Sequence, residues 1–141
     1  MISTGEWMIR NILLLRAALP ECDIEFDGED GTWVRVCHFP LPNNIQQQQT
    51  DLLILMPGIH YPVTMAPRSF YLDQNLRSSA TGFTPAHIFE RAPGHGWEDL
   101  TNRGYANFCL ILSQWQPTPD VVSGDNLLSV VNTVFMNLSE L

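Results

Sequence analysis
The sequence predicts an α+β fold in one domain, residues 1–141: an N-terminal helix, a four-stranded antiparallel meander, a long loop and a C-terminal helix. Three observations carry that expectation. Apolar residues recur at helical spacing near both ends of the chain. Between them lie four short segments of strand composition, separated by turn residues, so that each pairs with its predecessor. From Asn75 to Asn107 periodicity is then lost and Ser, Thr, Gly, Pro, His and Arg dominate, over a stretch much longer than an ordinary connection.

Ser3-Thr4-Gly5-Glu6 places a hydroxyl three residues ahead of a carboxylate, the pattern that satisfies the first free amides of a helix. Trp7, Met8, Asn11, Ile12, Leu14, Leu15, Ala18 and Leu19 follow at helical spacing, and Pro20 stops the run. Asp23 to Asp27 alternates polar and apolar residues, Gly28 to Gly31 is acidic turn material, and Thr32 to Phe39 is rich in β-branched and aromatic types, which together read as a hairpin. Pro40 to Asn44 and the glutamines 46–49 break the pattern before a third strand at Asp51 to Met56, and Ser69 to Asp73 gives the fourth. Ser123 or Asp125 is placed to cap the last helix, whose apolar residues are Leu127, Leu128, Val130, Val131, Val134, Phe135 and Leu138.

A chain of 141 residues buries a core without metal or disulfide support. Its 45% hydrophobic and 16% charged content is globular usage rather than that of a disordered segment. The formal charge of −8 leaves little positive surface to neutralise phosphates, so neither nucleic acid nor membrane is expected as a partner. Met8 to Leu19 is interrupted by Arg10, Asn11 and Arg16 and is too short to span a bilayer; it has neither the basic start nor the small-residue cleavage site of a secretion signal. Three cysteines without C-x-x-C spacing suit a reducing compartment, and a cytoplasmic location is expected.

Cys109 stands where the long polar loop enters the apolar run Phe108 to Leu112. Two readings compete: a buried thiol acting as a small hydrophobe, or a nucleophile at a loop edge, since the thiolate is the most reactive side chain near neutral pH. Cys37 alternates with Trp33, Arg35 and Phe39, which predicts a packing role, and Cys22 at a helix end reads as structural. The histidines 38, 60, 87 and 95 show no metal-ligand spacing, and no Rossmann fingerprint, phosphate-binding glycine loop or G-x-S-x-G elbow occurs, so neither a metal nor another cofactor is expected. His95, in Gly94-His95-Gly96-Trp97, is either a solvated loop residue or a group that orients or polarises a reacting atom near Cys109.

Three stretches in fixed order resemble the ubiquitin-conjugating (UBC) enzymes. Met56-Pro57-Gly58-Ile59-His60-Tyr61-Pro62-Val63-Thr64-Met65-Ala66-Pro67-Arg68-Ser69-Phe70 is similar to that family's third strand, Tyr-Pro turn, proline-rich turn and fourth strand. Phe108-Cys109-Leu110-Ile111-Leu112-Ser113-Gln114-Trp115-Gln116-Pro117 is similar to its active-site segment, a cysteine and leucine followed by Trp-x-Pro, and Asn126 to Leu138 resembles the helix that follows. The resemblance covers nearly the whole chain. It implies a UBC-like fold with residues 75–107 as an active-site loop, and an acyl transferase in which Cys109 takes the C-terminal carboxyl of a ubiquitin-like modifier as a thioester. The implied partners are that modifier, a ubiquitin-activating-like enzyme as donor and a target protein whose amine accepts the acyl group. The alternative under the same resemblance is an inactive scaffold that binds the modifier or the activating enzyme.

The sequence also departs from the family pattern. Thr101 to Asn107 stands where the family has His-Pro-Asn, and Asn102 or Asn107 can take the place of that asparagine by aiming a side-chain amide at the developing oxyanion, unless each merely makes a turn bond. Asp120, Ser123 and Asp125 follow Trp-x-Pro, where the family often has a polar or acidic residue that helps the incoming amine lose its proton; capping is the competing role of Ser123 and Asp125. The spacing from cysteine to tryptophan is shorter than in the family, and one helix follows instead of two. These features resemble the divergent prokaryotic branch, which implies a place in a bacterial antiviral-defence conjugation pathway.

All seven basic residues are arginines and the chain has no lysine. An arginine-favouring genome is one account. The other is functional: a protein carrying an activated carboxyl is exposed to attack by its own tethered amines, whose effective concentration far exceeds that of free ones. On the second account Asn107→Lys or Gln114→Lys yields a reductant-resistant self-adduct absent from wild type on reducing gels. Variants that form the thioester and stay as clean as wild type would assign the missing lysines to genome composition.

Overall fold
Capping and alternation build the elements from the chain termini inward. The computed structural model describes residues 2–89 and 98–141. Helix α1 spans Thr4–Ala18, and its cap Ser3 accepts the Glu6 amide on Oγ at 3.1 Å. The reciprocal half of that box is replaced, because the Glu6 carboxylate pairs with Arg10 one turn on, at 3.0 Å. Trp7, Met8, Asn11, Ile12 and Leu15 form the buried side.

Strands β1 (Asp23–Phe26), β2 (Trp33–Pro40), β3 (Gln49–Leu55) and β4 (Ser69–Asp73) pair in sequence order, all antiparallel. The sheet then continues beyond the four strands expected. The stretch read as a loop contributes β5 (Ile88–Phe89), a short helix α2 (Glu98–Asn102) and all but the last residue of β6 (Tyr105–Phe108). β6 lies between β4 and β5, so the sheet is six-stranded with order β1-β2-β3-β4-β6-β5. Strands of two and four residues are too short for alternation to register in the sequence, and the apolar end of β6 merges with the run after it. Leu52, Ile54, Phe70, Leu72, Ala106 and Phe108 point to one face, where they join Ile12 and Leu15 of α1 and Val131 and Val134 of the last helix in the main core.

Two local expectations are corrected. The register of β2 against β3 slips between Val36 and Phe39, with His38 at φ 62°. That extra residue turns Phe39 into the core, 2% exposed and edge-on to Phe135, off the face it would share with Trp33 and Arg35 by simple alternation. Cys37 is left half-buried on the outer face, its thiol donating to the Glu25 carboxylate at 3.1 Å, so it does not pack in the core. The second correction concerns α3 (Leu127–Ser139), whose cap is Asn126 rather than Ser123 or Asp125. Asn126 Oδ1 accepts the Ser129 amide at 2.8 Å, and Ser129 Oγ accepts the Asn126 amide at 3.0 Å. Among the described residues no helix is long and apolar enough to cross a membrane.

Asn11 joins the two long helices. It is 0% exposed; its Nδ2 donates to the Trp7 carbonyl at 2.9 Å, and its Oδ1 accepts the Leu127 amide at 2.7 Å. At the other end of α3, Asn44 Nδ2 donates to the carbonyls of Leu138 and Leu141 at 2.8 and 3.2 Å. Asn11→Leu keeps roughly the side-chain size but leaves the Leu127 amide without its acceptor, a loss of about 1–3 kcal/mol. The urea midpoint is expected to fall with little change in slope; a midpoint equal to wild type would show that this bond adds nothing to stability.

Candidate active site around Cys109
β6 leaves the sheet at Phe108, which is 2% exposed in the core, and Cys109 is the exposed residue that follows. The Cys109 amide donates to the His87 carbonyl at 2.8 Å, one step beyond the last strand pair, Ile88 with Phe108. The main chain at Cys109 is therefore pinned by a continuation of the ladder while its side chain lies outside the core. Cys109 lines an open groove with His87, Leu110 and Ile111 on the strand side and Asn137 and Leu141 on the α3 side.

His87 occupies an unusual position. Pro85, Ala86, His87 and Ile88 form a turn closed by the Ile88 amide on the Pro85 carbonyl at 3.3 Å, and His87, its third residue, has φ 65°. That is the type II pattern, in which the third position favours glycine or asparagine. A histidine held there costs about 1–2 kcal/mol relative to ordinary backbone.

The chain beyond Cys109 is held by contacts to the turn between β3 and β4. Leu110 and Leu112 pack partly against the core, while Ile111 is 83% exposed. Trp115 meets Trp7 edge-on, with centroids 6.1 Å apart, and its indole N–H donates to the Val63 carbonyl at 2.8 Å. Within the same turn the Tyr61 carbonyl accepts from Thr4 Oγ1 at 2.8 Å. The Tyr-Pro and Trp-x-Pro stretches, far apart in sequence, thus touch each other and α1.

The other thiols have different surroundings. Cys22 is half-buried and its thiol donates to the His38 carbonyl at 3.5 Å; burial first, then Glu21 and Asp23, push its pKa up. Cys37 is pushed up to about 12, by burial and then by its bond to the Glu25 carboxylate. Both shifts disfavour the thiolate, the nucleophilic form.

The remaining candidate residues do not converge on Cys109. Asn107 pairs with Tyr71 and Phe89 on β6 and alternates with Ala106 and Phe108, so it faces away from the main core and from α3. Asn102 ends α2, exposed, beyond the far end of β6; the four residues of that strand separate it from Cys109 by roughly 13 Å. Asp120 caps the 3-10 turn Val121–Ser123, accepting the Val122 amide at 3.3 Å and the Ser123 hydroxyl at 2.6 Å. That turn precedes the N-terminal end of α3, whereas Cys109 lies by its C-terminal end, about 20 Å away along a helix of 13 residues. His95 lies outside the described residues.

The groove instead brings His87 and Asn137 to Cys109. The sequence marks His87 only as a histidine without metal spacing, and Asn137 sits in an unremarkable position of an amphipathic helix. Pro85-Ala86 signals a turn ahead of His87, but nothing local says which strand that turn will lie beside. Among the described residues no group of three or more His, Cys, Asp or Glu is arranged to hold a metal ion. No family model, curated protein or solved structure matches this chain.

Proposed function
We propose that the chain is a conjugating enzyme of the UBC type that carries a ubiquitin-like modifier as a thioester on Cys109 and transfers it to an amine of a target protein. The observation that carries this reading is the exposure of Cys109 at the end of the β6 ladder while burial and acidic neighbours disfavour the thiolates of Cys22 and Cys37. A carrier thiol has to meet two bulky partners in turn, a donor thioester and an acceptor amine. An exposed sulfur on a main chain pinned at 2.8 Å provides access with little loss of position.

The element order supports the UBC reading further. An N-terminal helix is followed by four consecutive antiparallel strands, then by the cysteine and a helix that packs with α1 on one face of the sheet. β5 and β6 extend that plan. A modest acyl-exchange barrier suits such a site, because a thioester moves between sulfurs at little cost and stays reactive toward amines. An acidic chain working in the cytoplasm with basic or polar protein partners fits the same reading.

One observation favours the scaffold alternative: Asn102, Asn107 and Asp120, the residues that the resemblance assigns to oxyanion and amine, all lie away from the Cys109 groove. Incubation with ATP, an activating enzyme and its ubiquitin-like modifier separates the two. An acyl carrier gives an adduct on non-reducing gels that thiol reductant removes, retained in Cys22→Ser and Cys37→Ser and lost in Cys109→Ser. Persistence of that reductant-sensitive adduct in Cys109→Ser would refute the assignment, and its absence from wild type would leave the scaffold.

A further inference from the structure
We propose that His87 is the proton carrier of the Cys109 groove: its imidazole takes the proton of whichever nucleophile attacks there and returns it to the departing thiolate. The inference rests on Cys109 being an acyl carrier, and it supplies the acid–base group that the displaced asparagines and Asp120 do not. Three observations lead to it. His87 lies one step beyond the Ile88–Phe108 pair, and its carbonyl accepts the Cys109 amide at 2.8 Å. An amide-to-carbonyl bond keeps the two Cα atoms within about 7 Å of each other, which puts the imidazole within reach of the thiol through one water. Both residues line the same groove, and both are exposed to incoming reactants.

The other groups facing His87 leave it that role. On the α3 wall, Asn137 has its Nδ2 engaged by the Thr133 carbonyl at 2.8 Å, and the Leu141 carbonyl is held by Asn44. On the strand side, Leu110 and Ile111 are apolar, and Phe108 belongs to the core. Among the described side chains lining the groove, the His87 imidazole and the Cys109 thiol are the two that can exchange a proton.

The proton balance closes without any oxidant or reductant. In charging, the Cys109 thiol gives its proton to His87 as sulfur bonds to the carbonyl of the incoming thioester; the donor's C–S bond breaks, and its thiolate takes the proton from the imidazolium. In discharge, the amine nitrogen bonds to the carbonyl and loses a proton to His87, the bond to Cys109 Sγ breaks, and the thiolate recovers the proton. Neutral imidazole is the competent form, so the discharge rate gains an inflection, rising with pH until this group has given up its proton.

The left-handed backbone at His87 provides folded controls, since glycine and asparagine adopt φ 65° more readily than histidine does. His87→Gly and His87→Asn are therefore expected to melt no lower than wild type. The test loads the protein with the 2-mercaptoethanesulfonate thioester of acetyl-Gly-Gly and discharges it to free lysine, following the acyl adduct by intact mass, with Cys109→Ser as the site control. Discharge should slow by about 100-fold in both variants, lose that inflection, and recover in part for His87→Gly when free imidazole is added. Rates within twofold of wild type with the inflection unchanged would overturn the role of His87 and leave the carrier intact. So would a loss that imidazole does not rescue and that keeps the inflection. A wild-type protein that takes no acyl group on Cys109 would overturn the carrier itself, and this inference with it.

Discussion
Helix α3 is fixed at both ends by asparagine side chains from remote parts of the chain. A helix leaves its first amides and last carbonyls unpaired, and burying those ends without partners is costly. Asn11, 116 residues before Leu127, accepts one of the free amides, and Asn44, 94 residues before Leu138, donates to the final carbonyls. Burial of Leu127, Val130, Val131, Val134 and Leu138 supplies most of the attraction, at about 1.5–3 kcal/mol for each large apolar side chain, but that attraction has no direction. The two asparagines restrict where along its axis the helix can settle.

That placement is transmitted to the site. Asn137 and Leu141 form one wall of the Cys109 groove, so the end of α3 tied down by Asn44 also bounds that groove. The opposite wall is the turn at His87, which exists because β5 pairs with β6. If the sheet ended at β4, Cys109 would follow a free loop. Pairing of β6 with both β4 and β5 places the residue after Phe108 on a rigid support, and the bond to His87 extends that support by one residue.

Two histidines, His38 and His87, are the non-glycine residues of positive φ among those described, and the carbonyl of each is bonded to a cysteine. At His38 the donor is the thiol of Cys22, whose pKa is raised first by burial and then by its acidic neighbours. At His87 the donor is the main-chain amide of Cys109, so the thiol is not spent on the structure. The backbone is strained at both places, at about 1–2 kcal/mol each. What separates them chemically is which atom of the cysteine makes the bond.

The sequence by itself determines α1, α3 and the first four strands, because each has enough residues for its period to show, and it singles out Cys109 through the change from polar loop to apolar run. Within β2 its alternation holds through Cys37 and misleads at Phe39, since a bulge moves a side chain across the sheet without any local signature. β5 and β6 have too few residues to show a period, and they exist because β4 offers an edge that only the assembled sheet possesses. The partners of Cys109 were decided by the tertiary structure alone: Asn102 and Asn107 precede it in the chain, yet one lies beyond the far end of β6 and the other on the opposite face. Asn137 and His87, 28 and 22 residues away in sequence, reach the groove because strand pairing and helix clamping act across distances that local spacing does not encode.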